Sequence, residues 1–308
     1  EDPVEMYRPT GEKIRLERKR VPLIGRMAEQ IEIGRILQGI RQGPSKVLIL
    51  EGEAGIGKTR LVEKLMTYAA DLGFTHYKSN VDSGPGQHKY HPWREIFWQI
   101  FNLDKLSNDQ ARIDHLTAAL NGSGTGSLQD PGVDLVLSML VSNPSASLAQ
   151  YFLGGPEHIT DIFIKLLKAA FNNSPAVIIL ENARDLDHES WELIQSASMQ
   201  VSKLVMVVST RPLSETLPSA GFELMRAPNI IDLSLKGLSS QEAYLLACEH
   251  LEVVSLPPDL VGILDRAAGN PQFIEEMVYI LRDDGYIQVE AGECRVLPHV
   301  DLESIVFP

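Results

Sequence analysis

Cysteine and basic side chains are scarce in this chain of 308 residues. The two cysteines, Cys248 and Cys294, have no metal-type spacing, and so low a number argues against a disulfide scaffold and fits a reducing compartment. Only 28 Lys and Arg stand against 41 Asp and Glu, which leaves a net charge of −13. Sequence-independent nucleic-acid binding needs clustered basic residues, so nucleic acid is not an expected partner.

Long hydrophobic runs are also missing. No apolar run approaches the length of a membrane span, and residues 1–5 do not have the composition of a signal peptide, so we expect a cytoplasmic protein. The chain shows no internal repeat and does not begin with Met, and we expect it to be a segment of a longer protein. Its 44% hydrophobic residues are ample for a buried core and for more than one domain.

The most informative segment is Gly52–Thr59, which has the spacing G-x-x-x-x-G-K-[ST]. An apolar run, Val47–Leu50, precedes it and predicts a strand, and a helical pattern follows over about 58–72. Glycines let backbone N–H groups turn inward around an anion, and the helix adds its positive N-terminal end. A chance glycine turn is the alternative, but the flanking strand and helix favour nucleotide binding.

Two side chains of this motif have predicted chemical roles. Lys58 supplies a positive charge for the β- and γ-phosphates, and Thr59 places a hydroxyl where Mg²⁺ can bind it. The predicted nucleotide-binding residues of the loop and the first helical turn are Gly52, Glu53, Ala54, Gly55, Ile56, Gly57, Lys58, Thr59 and Arg60.

Two further apolar runs end in polar residues. The run 175–180 is followed by Glu181, which is how a buried parallel strand delivers an acid to a ligand cleft. In phosphate-loop enzymes this acid binds Mg²⁺, so we predict Glu181 and Thr59 as metal ligands. A third strand, Leu204–Val208, leads to Thr210 and Arg211. Ordinary surface positions are the alternative for Glu181 and Arg211.

The segment Leu23-Ile24-Gly25-Arg26 precedes a helical pattern over Met27–Ile40. On general grounds it is a short strand and a turn. Placed closely upstream of a phosphate loop, it also resembles the entry of AAA+-related signalling ATPases of the STAND class, which are similar to Orc/Cdc6 ATPases. The resemblance covers nearly all of residues 21–307 and implies ATP as the nucleotide and Mg²⁺ as the metal. It places Arg26 near the nucleotide.

The same resemblance implies roles for three later residues. Arg211 lies at the sensor position, where a strand-end residue reads the γ-phosphate, and its guanidinium suits phosphate oxygens. Pro271, in Gly-Asn-Pro before a helix, corresponds to a lid proline near the adenine, although on general grounds it only starts a capped helix. Asn182 replaces the second acid that the family places after Glu181. An amide orients water but cannot take its proton, so binding is predicted more firmly than hydrolysis.

These observations predict an α/β P-loop NTPase fold, a three-layer αβα core with a parallel sheet. The resemblance implies that a helical lid and the start of a winged-helix-like segment follow. The predicted boundaries are an extended linker at 1–20, the ATPase core at 21–236 with a helical insertion at about 88–158, the lid at 237–284, and the winged-helix-like segment at 285–308. Local patterns add Asp187 as a helix cap, a capping box at Ser239 and Glu242, and a hairpin around 291–293.

The lead-in, residues 1–9, resembles the tail that follows a class III nucleotide cyclase domain, as in soluble-type adenylyl cyclases. The resemblance therefore implies a regulatory ATPase that binds ATP or ADP and controls a linked catalytic or effector domain, and it leaves homo-oligomerisation open. Two alternatives remain: a scaffold that binds nucleotide without hydrolysing it, and a DNA-associated ATPase, which the acidic charge disfavours.

Overall fold

The computed structural model describes residues 20–41, 43–81, 89–122, 131–142, 155–171, 174–212, 219–298 and 300–307. The chain divides into two compact units, Gly25–Gly237 and a second that combines Glu1–Ile24 with Leu238–Pro308. The lead-in at 1–19 and most of the Gly-Ser-rich stretch of the predicted insertion, from 123 on, lie outside the described residues.

The first unit alternates helices and strands. Its elements are α1 Met27–Ile40, β1 Lys46–Glu51, α2 Lys58–Asp71, β2 Thr75–Asn80, α3 His91–Phe101, α4 Asp109–Gly122, α5 Pro131–Ser142, α6 Gly155–Phe171, β3 Ala176–Glu181, α7 His188–Gln200, β4 Leu204–Thr210, α8 Ser219–Met225 and β5 Ile230–Ser234.

Within the described residues of this unit, five strands form one parallel sheet in the order β2-β3-β4-β1-β5. Every residue of β3 and β4 is buried, as expected for central strands covered on both faces. Ile178 and Leu180 pack into a large apolar cluster with α3, α6 and α7, while α1 and α2 contact the strands from the other face. The predicted three-layer α/β fold with a parallel sheet is confirmed.

The outer edge of the sheet at β2 is covered by side chains of α3. The Lys78 N–H donates to Gln99 Oε1 at 3.1 Å, and Gln99 Nε2 donates back to the Lys78 carbonyl at 2.6 Å. Ser79 Oγ donates to Glu95 Oε2 at 2.6 Å. The amide of Gln99 thus replaces a neighbouring strand, because it satisfies the outward N–H and C=O of one edge residue.

The second unit is built mainly from helices. Its elements are α9 Ser240–Leu251, α10 Pro258–Leu264, α11 Pro271–Asp283, β6 Ile287–Glu290 and β7 Glu293–Val296. The predicted capping box is confirmed: Ser239 Oγ accepts from the Glu242 N–H, and Glu242 accepts from the Ser239 N–H at 2.8 Å. The predicted hairpin is also confirmed, with left-handed Ala291 and Gly292 forming its two-residue turn.

Some element boundaries differ from the predictions. The short strand expected just before Gly25 is not formed, and residues 20–24 carry no strand in the described structure. Helix α6 begins at Gly155, inside the insertion predicted at about 88–158, because Pro156 is well tolerated in a first helical turn. Asp187 caps α7 as predicted, and its carboxylate accepts from the Ser190 N–H at 2.9 Å. In the described part of the chain, no helix is long and apolar enough to span a membrane.

Candidate functional site

The carboxyl ends of the central strands meet at one edge of the sheet. Glu51, the last residue of β1, pairs in register with Thr210, the last residue of β4. The next N–H, that of Gly52, donates to the Thr210 carbonyl at 3.2 Å. On the far side of β4, the neighbouring strand β3 ends in Glu181, opposite Asn80 of β2. Ligands of open parallel sheets bind at this edge, so the topology brings the predicted loop and acid to one place.

The conformation of Gly52–Gly57 requires glycine at three positions. Gly55 and Gly57 have φ values of 75° and 99°, in the left-handed region that L side chains avoid. A Cβ on Gly52 would lie 2.7 Å from Ile56 Cγ2 and 3.3 Å from the Leu235 carbonyl oxygen. Gly57 is also the N-cap of α2 and provides no side-chain cap. The first N–H groups of α2 are therefore left for another acceptor, as in an anion site.

Lys58 lies against the loop that it follows. Its ammonium group donates to the carbonyls of Gly52 at 2.6 Å and Glu53 at 2.8 Å. Burial, and next the positive charge of Arg211, lower the pKa of Lys58, while Glu53 and Glu181 act in the opposite direction. One cation, Arg211, and two carboxylates thus act on the Lys58 ammonium group. A bound polyanion would relieve the repulsion between Lys58 and Arg211, because it adds negative charge where cations converge.

Arg26 connects the segment before α1 to the phosphate loop. Its Nη2 donates to the Ile56 carbonyl at 3.0 Å and its Nη1 to Glu29 Oε1 at 3.3 Å, and the residue is 7% exposed. Its backbone is left-handed, with φ 61°, which costs a non-glycine residue about 1–2 kcal/mol. The structure therefore places Arg26 on the backbone of the loop, where it restrains the Ile56 peptide.

Glu181 is buried at the end of β3, with 8% of its surface exposed. Its Oε2 forms an ion pair with Lys78 Nζ of β2 at 2.5 Å. Its other oxygen, Oε1, is buried and has no hydrogen-bond partner among the residues that the structure describes. A buried carboxylate oxygen without a partner lowers the stability of the fold unless a ligand binds it. Oε1 of Glu181 is therefore available to bind a ligand.

The residues present fit a hard divalent cation bound together with a nucleotide. Thr59 is exposed in the first turn of α2, and the unpartnered Oε1 of Glu181 offers a second oxygen donor. Mg²⁺ prefers oxygen ligands and takes few of them from the protein when phosphates and water supply the rest. Thr59 and Glu181 would hold the ion, which supplies positive charge to the phosphates. Among the described residues, no group of three His, Cys, Asp or Glu could hold a metal by itself.

Asn182 follows Glu181 and begins a tight turn. Its backbone is left-handed at φ 55°, a conformation that Asn tolerates better than most residues, and its side chain is exposed. Its Nδ2 donates to Asn80 Oδ1 at 2.6 Å. The amide that replaces the expected second acid is thus bonded to the end of the neighbouring strand.

Thr210 and Arg211 end β4 in different environments. Thr210 is fully buried, and in the described part of the chain its hydroxyl has no hydrogen-bond partner. Arg211 is exposed, yet its charge reaches Lys58. Thr210, rather than Arg211, therefore carries the unsatisfied polar group. Only Arg211 was among the predicted site residues.

Replacing Thr210 with valine tests this unsatisfied hydroxyl. The change keeps the shape of the side chain and removes a buried polar atom, so we expect the free energy of unfolding to rise by about 1 kcal/mol. Urea unfolding of the nucleotide-free protein measures it. Thr160→Val is the matched control, because the buried Thr160 hydroxyl lies 3.3 Å from the Tyr90 hydroxyl, and its loss should destabilise. Equal destabilisation by both changes would show that Thr210 has a partner.

The other predicted site residues lie as follows. Glu53 and Ala54 are exposed on the loop, Ile56 is buried, and Arg60 is half-buried in the first turn of α2. Pro271 belongs to the second unit, where it is the first residue of α11, and Asn270 Oδ1 caps that helix by accepting from the Gln272 and Phe273 N–H groups. Its predicted role toward adenine stays a prediction.

Lys78 and Asn80 near this edge were missed, whereas Thr210 was named with Arg211 at the strand end but was not included among the predicted site residues. The alternating pattern of β2 predicts a strand but does not identify which strand lies beside it, and that neighbour decides the partners of Lys78 and Asn80. Thr210 was the one with a sequence signal, since it is a polar residue at the end of an apolar strand.

The family model described as an AAA ATPase domain matches residues 22–208, more than half of the chain. The chain therefore belongs to the AAA ATPase domain family, and it is an AAA-type P-loop ATPase domain. A second model, described only as a domain of unknown function, matches residues 239–295.

The similar proteins are much longer than this chain. An uncharacterized protein of Rhizobium meliloti (strain 1021), R02095, is 27% identical over an alignment 306 residues long. The alignment covers 89% of this chain and 27% of that protein. Adenylate cyclase type 10 of Mus musculus is 26% identical over 118 residues, 38% of this chain and 7% of that protein. Among solved structures, a STAND protein with a tetratricopeptide repeat sensor from Pyrococcus horikoshii has a TM-score of 0.44 and 19% identity, covering 88% of this chain and 32% of that one.

Proposed function

We propose that this chain is an ATP-binding regulatory module whose nucleotide state controls a linked domain, such as a nucleotide cyclase. One observation carries the proposal. The loop Gly52–Gly57 has the left-handed glycines of an anion cradle, and it leads into the uncapped N-terminus of α2 beside the Lys58 ammonium group. ATP bound with Mg²⁺ is the ligand that this arrangement and the family support.

The regulatory part of the proposal rests on the relatives. The chain spans 27% of the Rhizobium meliloti protein and 7% of the mouse adenylate cyclase, so comparable segments are minor parts of larger proteins. A module that reports its nucleotide state to such neighbours needs a ligand that prefers one of two states, and ATP and ADP differ in the phosphate that Lys58 and Arg211 would contact.

A hydrolysis-deficient scaffold is the second candidate, and Asn182 is the observation that favours it. Its amide is bonded to Asn80 and cannot accept a proton from water. In that case the module would bind ATP and hold one state until ATP dissociates. A DNA-associated function has less support, because the net charge of −13 works against phosphate contacts.

Two measurements on the wild-type chain test the proposal. Calorimetric titration with ATP in the presence of Mg²⁺ should show saturable binding, and a titration without detectable binding would contradict the nucleotide site. Hydrogen exchange in the ATP-bound and ADP-bound states should then differ outside residues 52–60, because a switch must change more than the contacts of its ligand. Identical exchange in the two states would leave a binding site but no switch.

A further inference from the structure

We propose that Lys78 is a resident countercharge for Glu181, so that Mg²⁺ has to compete with an ammonium group for this carboxylate. The inference rests on the proposed nucleotide function and adds a residue that sets the metal dependence of nucleotide binding. Lys78 belongs neither to the phosphate loop nor to the strand that carries the acid.

The geometry of the pair supports a defined role. Asn80 is opposite Glu181 in register, and Lys78 lies two residues earlier on β2. The side chains of Lys78 and Glu181 therefore project from the same face of the sheet. The Lys78 ammonium reaches Glu181 Oε2 at 2.5 Å, with the lysine side chain 33% exposed and the glutamate side chain 10% exposed. The buried acid thus has its charge balanced from a strand at the edge of the sheet.

The position of Lys78 is held by α3. Gln99 binds both the N–H and the C=O of Lys78, and Glu95 binds the hydroxyl of the adjacent Ser79. These contacts fix the backbone from which the lysine side chain extends. An ordinary surface ion pair has no such support, and two mobile side chains then lose much of the gain to conformational entropy.

The ion pair occupies only one of the two carboxylate oxygens of Glu181. Oε2 is bonded to Lys78, whereas Oε1 is buried and no described residue donates a hydrogen bond to it. Without metal, the Lys78 ammonium balances the charge of the buried carboxylate and holds it in place. When a divalent ion binds, it meets an acid that is already neutralised, and it gains less than it would from a free carboxylate. The one-third exposure of the lysine side chain gives the ammonium a path to solvent when the metal displaces it.

The test measures the ATP dissociation constant in excess EDTA and in Mg²⁺. We call the first divided by the second the metal factor, which is larger when Mg²⁺ strengthens binding more. We expect Lys78→Met to increase the metal factor by roughly tenfold over the wild type, because the competing charge is gone. Lys46→Met is the matched control: Lys46 is a half-exposed lysine at the opposite end of the sheet, at the start of β1, so the metal factor should not change. In Lys78→Met combined with Glu181→Gln, the increase should disappear.

Melting temperature gives a second readout that needs no nucleotide. Lys78→Met leaves a buried carboxylate without its countercharge, so its melting temperature should be lower than that of the wild type and should partly recover on addition of MgCl₂. A merely structural lysine would give an equal loss with and without MgCl₂, and that result overturns the inference. An unchanged metal factor in Lys78→Met also overturns it. If the wild type binds no ATP in either buffer, the proposed function fails and this inference fails with it.

Discussion

Replacing Lys58 with methionine should weaken ATP binding about 100-fold, the size of a lost charge-assisted hydrogen bond to phosphate. The Lys58 ammonium donates to two loop carbonyls, and the lysine of this motif is the residue that contacts the β- and γ-phosphates of a nucleotide. Methionine keeps the length and the apolar stem of the side chain, so the loop retains its packing. Calorimetric titration of both proteins with Mg²⁺ and ATP gives the ratio of the dissociation constants.

Lys58→Met should lose the part of the pH dependence of stability that comes from the Lys58 charge. The pKa of Lys58 is lowered mainly by burial, so the folded state disfavours the charged form. This penalty is fully present below the folded pKa and is relieved as pH rises from that value toward the ordinary 10.5, so at neutral pH the charge works against folding. A residue that costs stability and serves a ligand is typical of a binding site.

The control for this change is Lys64→Met, two turns further along α2. Lys64 is also half-buried, and its ammonium lies 4.9 Å from the centre of the Tyr68 ring, away from the loop. Lys64→Met removes the same charge from the same helix and should leave ATP affinity within about twofold of the wild type, because salt screens a charge that does not contact the phosphates. Equal losses in the two variants would show that net charge, not the loop lysine, attracts the nucleotide.

Replacing Asn182 with aspartate should raise ATP turnover about 100-fold over a slow wild type, the lower end of what a positioned general base contributes. The carboxylate has the same shape as the amide and can accept the proton of the attacking water, which the amide cannot. Aspartate also tolerates the left-handed conformation of this position, with φ 55°. Asn80 can turn its amide to donate where it now accepts, so the bond between the two strand ends is retained.

Phosphate release under single-turnover conditions measures this effect. Asp185→Asn is the informative control, because Asp185 lies on the same turn and is the other acid from which a base could come. If the wild type turns over rapidly and Asp185→Asn abolishes it, the base is Asp185, and our assignment of Asn182 is wrong. If Asn182→Asp and the wild type are equally slow, another part of the hydrolytic site is missing, and the scaffold interpretation gains support.

Local sequence predicted the elements well where a local cause decides them. The buried strands follow from continuous apolar runs, and the hairpin follows from Ala291-Gly292, which accept left-handed conformations. The capping residues Asp187 and Ser239 were found because a cap binds N–H groups only two or three residues away. Helix α6 crosses the predicted end of the insertion at about 158, because proline suits a first helical turn.

The candidate site also combines features that the local sequence determines with contacts that the tertiary structure determines. The sequence alone determined the phosphate loop, because its glycines and Lys58 act through backbone geometry within eight consecutive positions. It also determined that an acid and then an amide, Glu181 and Asn182, end a buried strand. Only the tertiary structure decided what these residues touch: Lys78 on Glu181, Asn80 on Asn182, and Arg26 on the loop backbone. Parallel strands acquire their neighbours through long crossovers, so such contacts depend on how the whole sheet packs and leave no pattern in either segment.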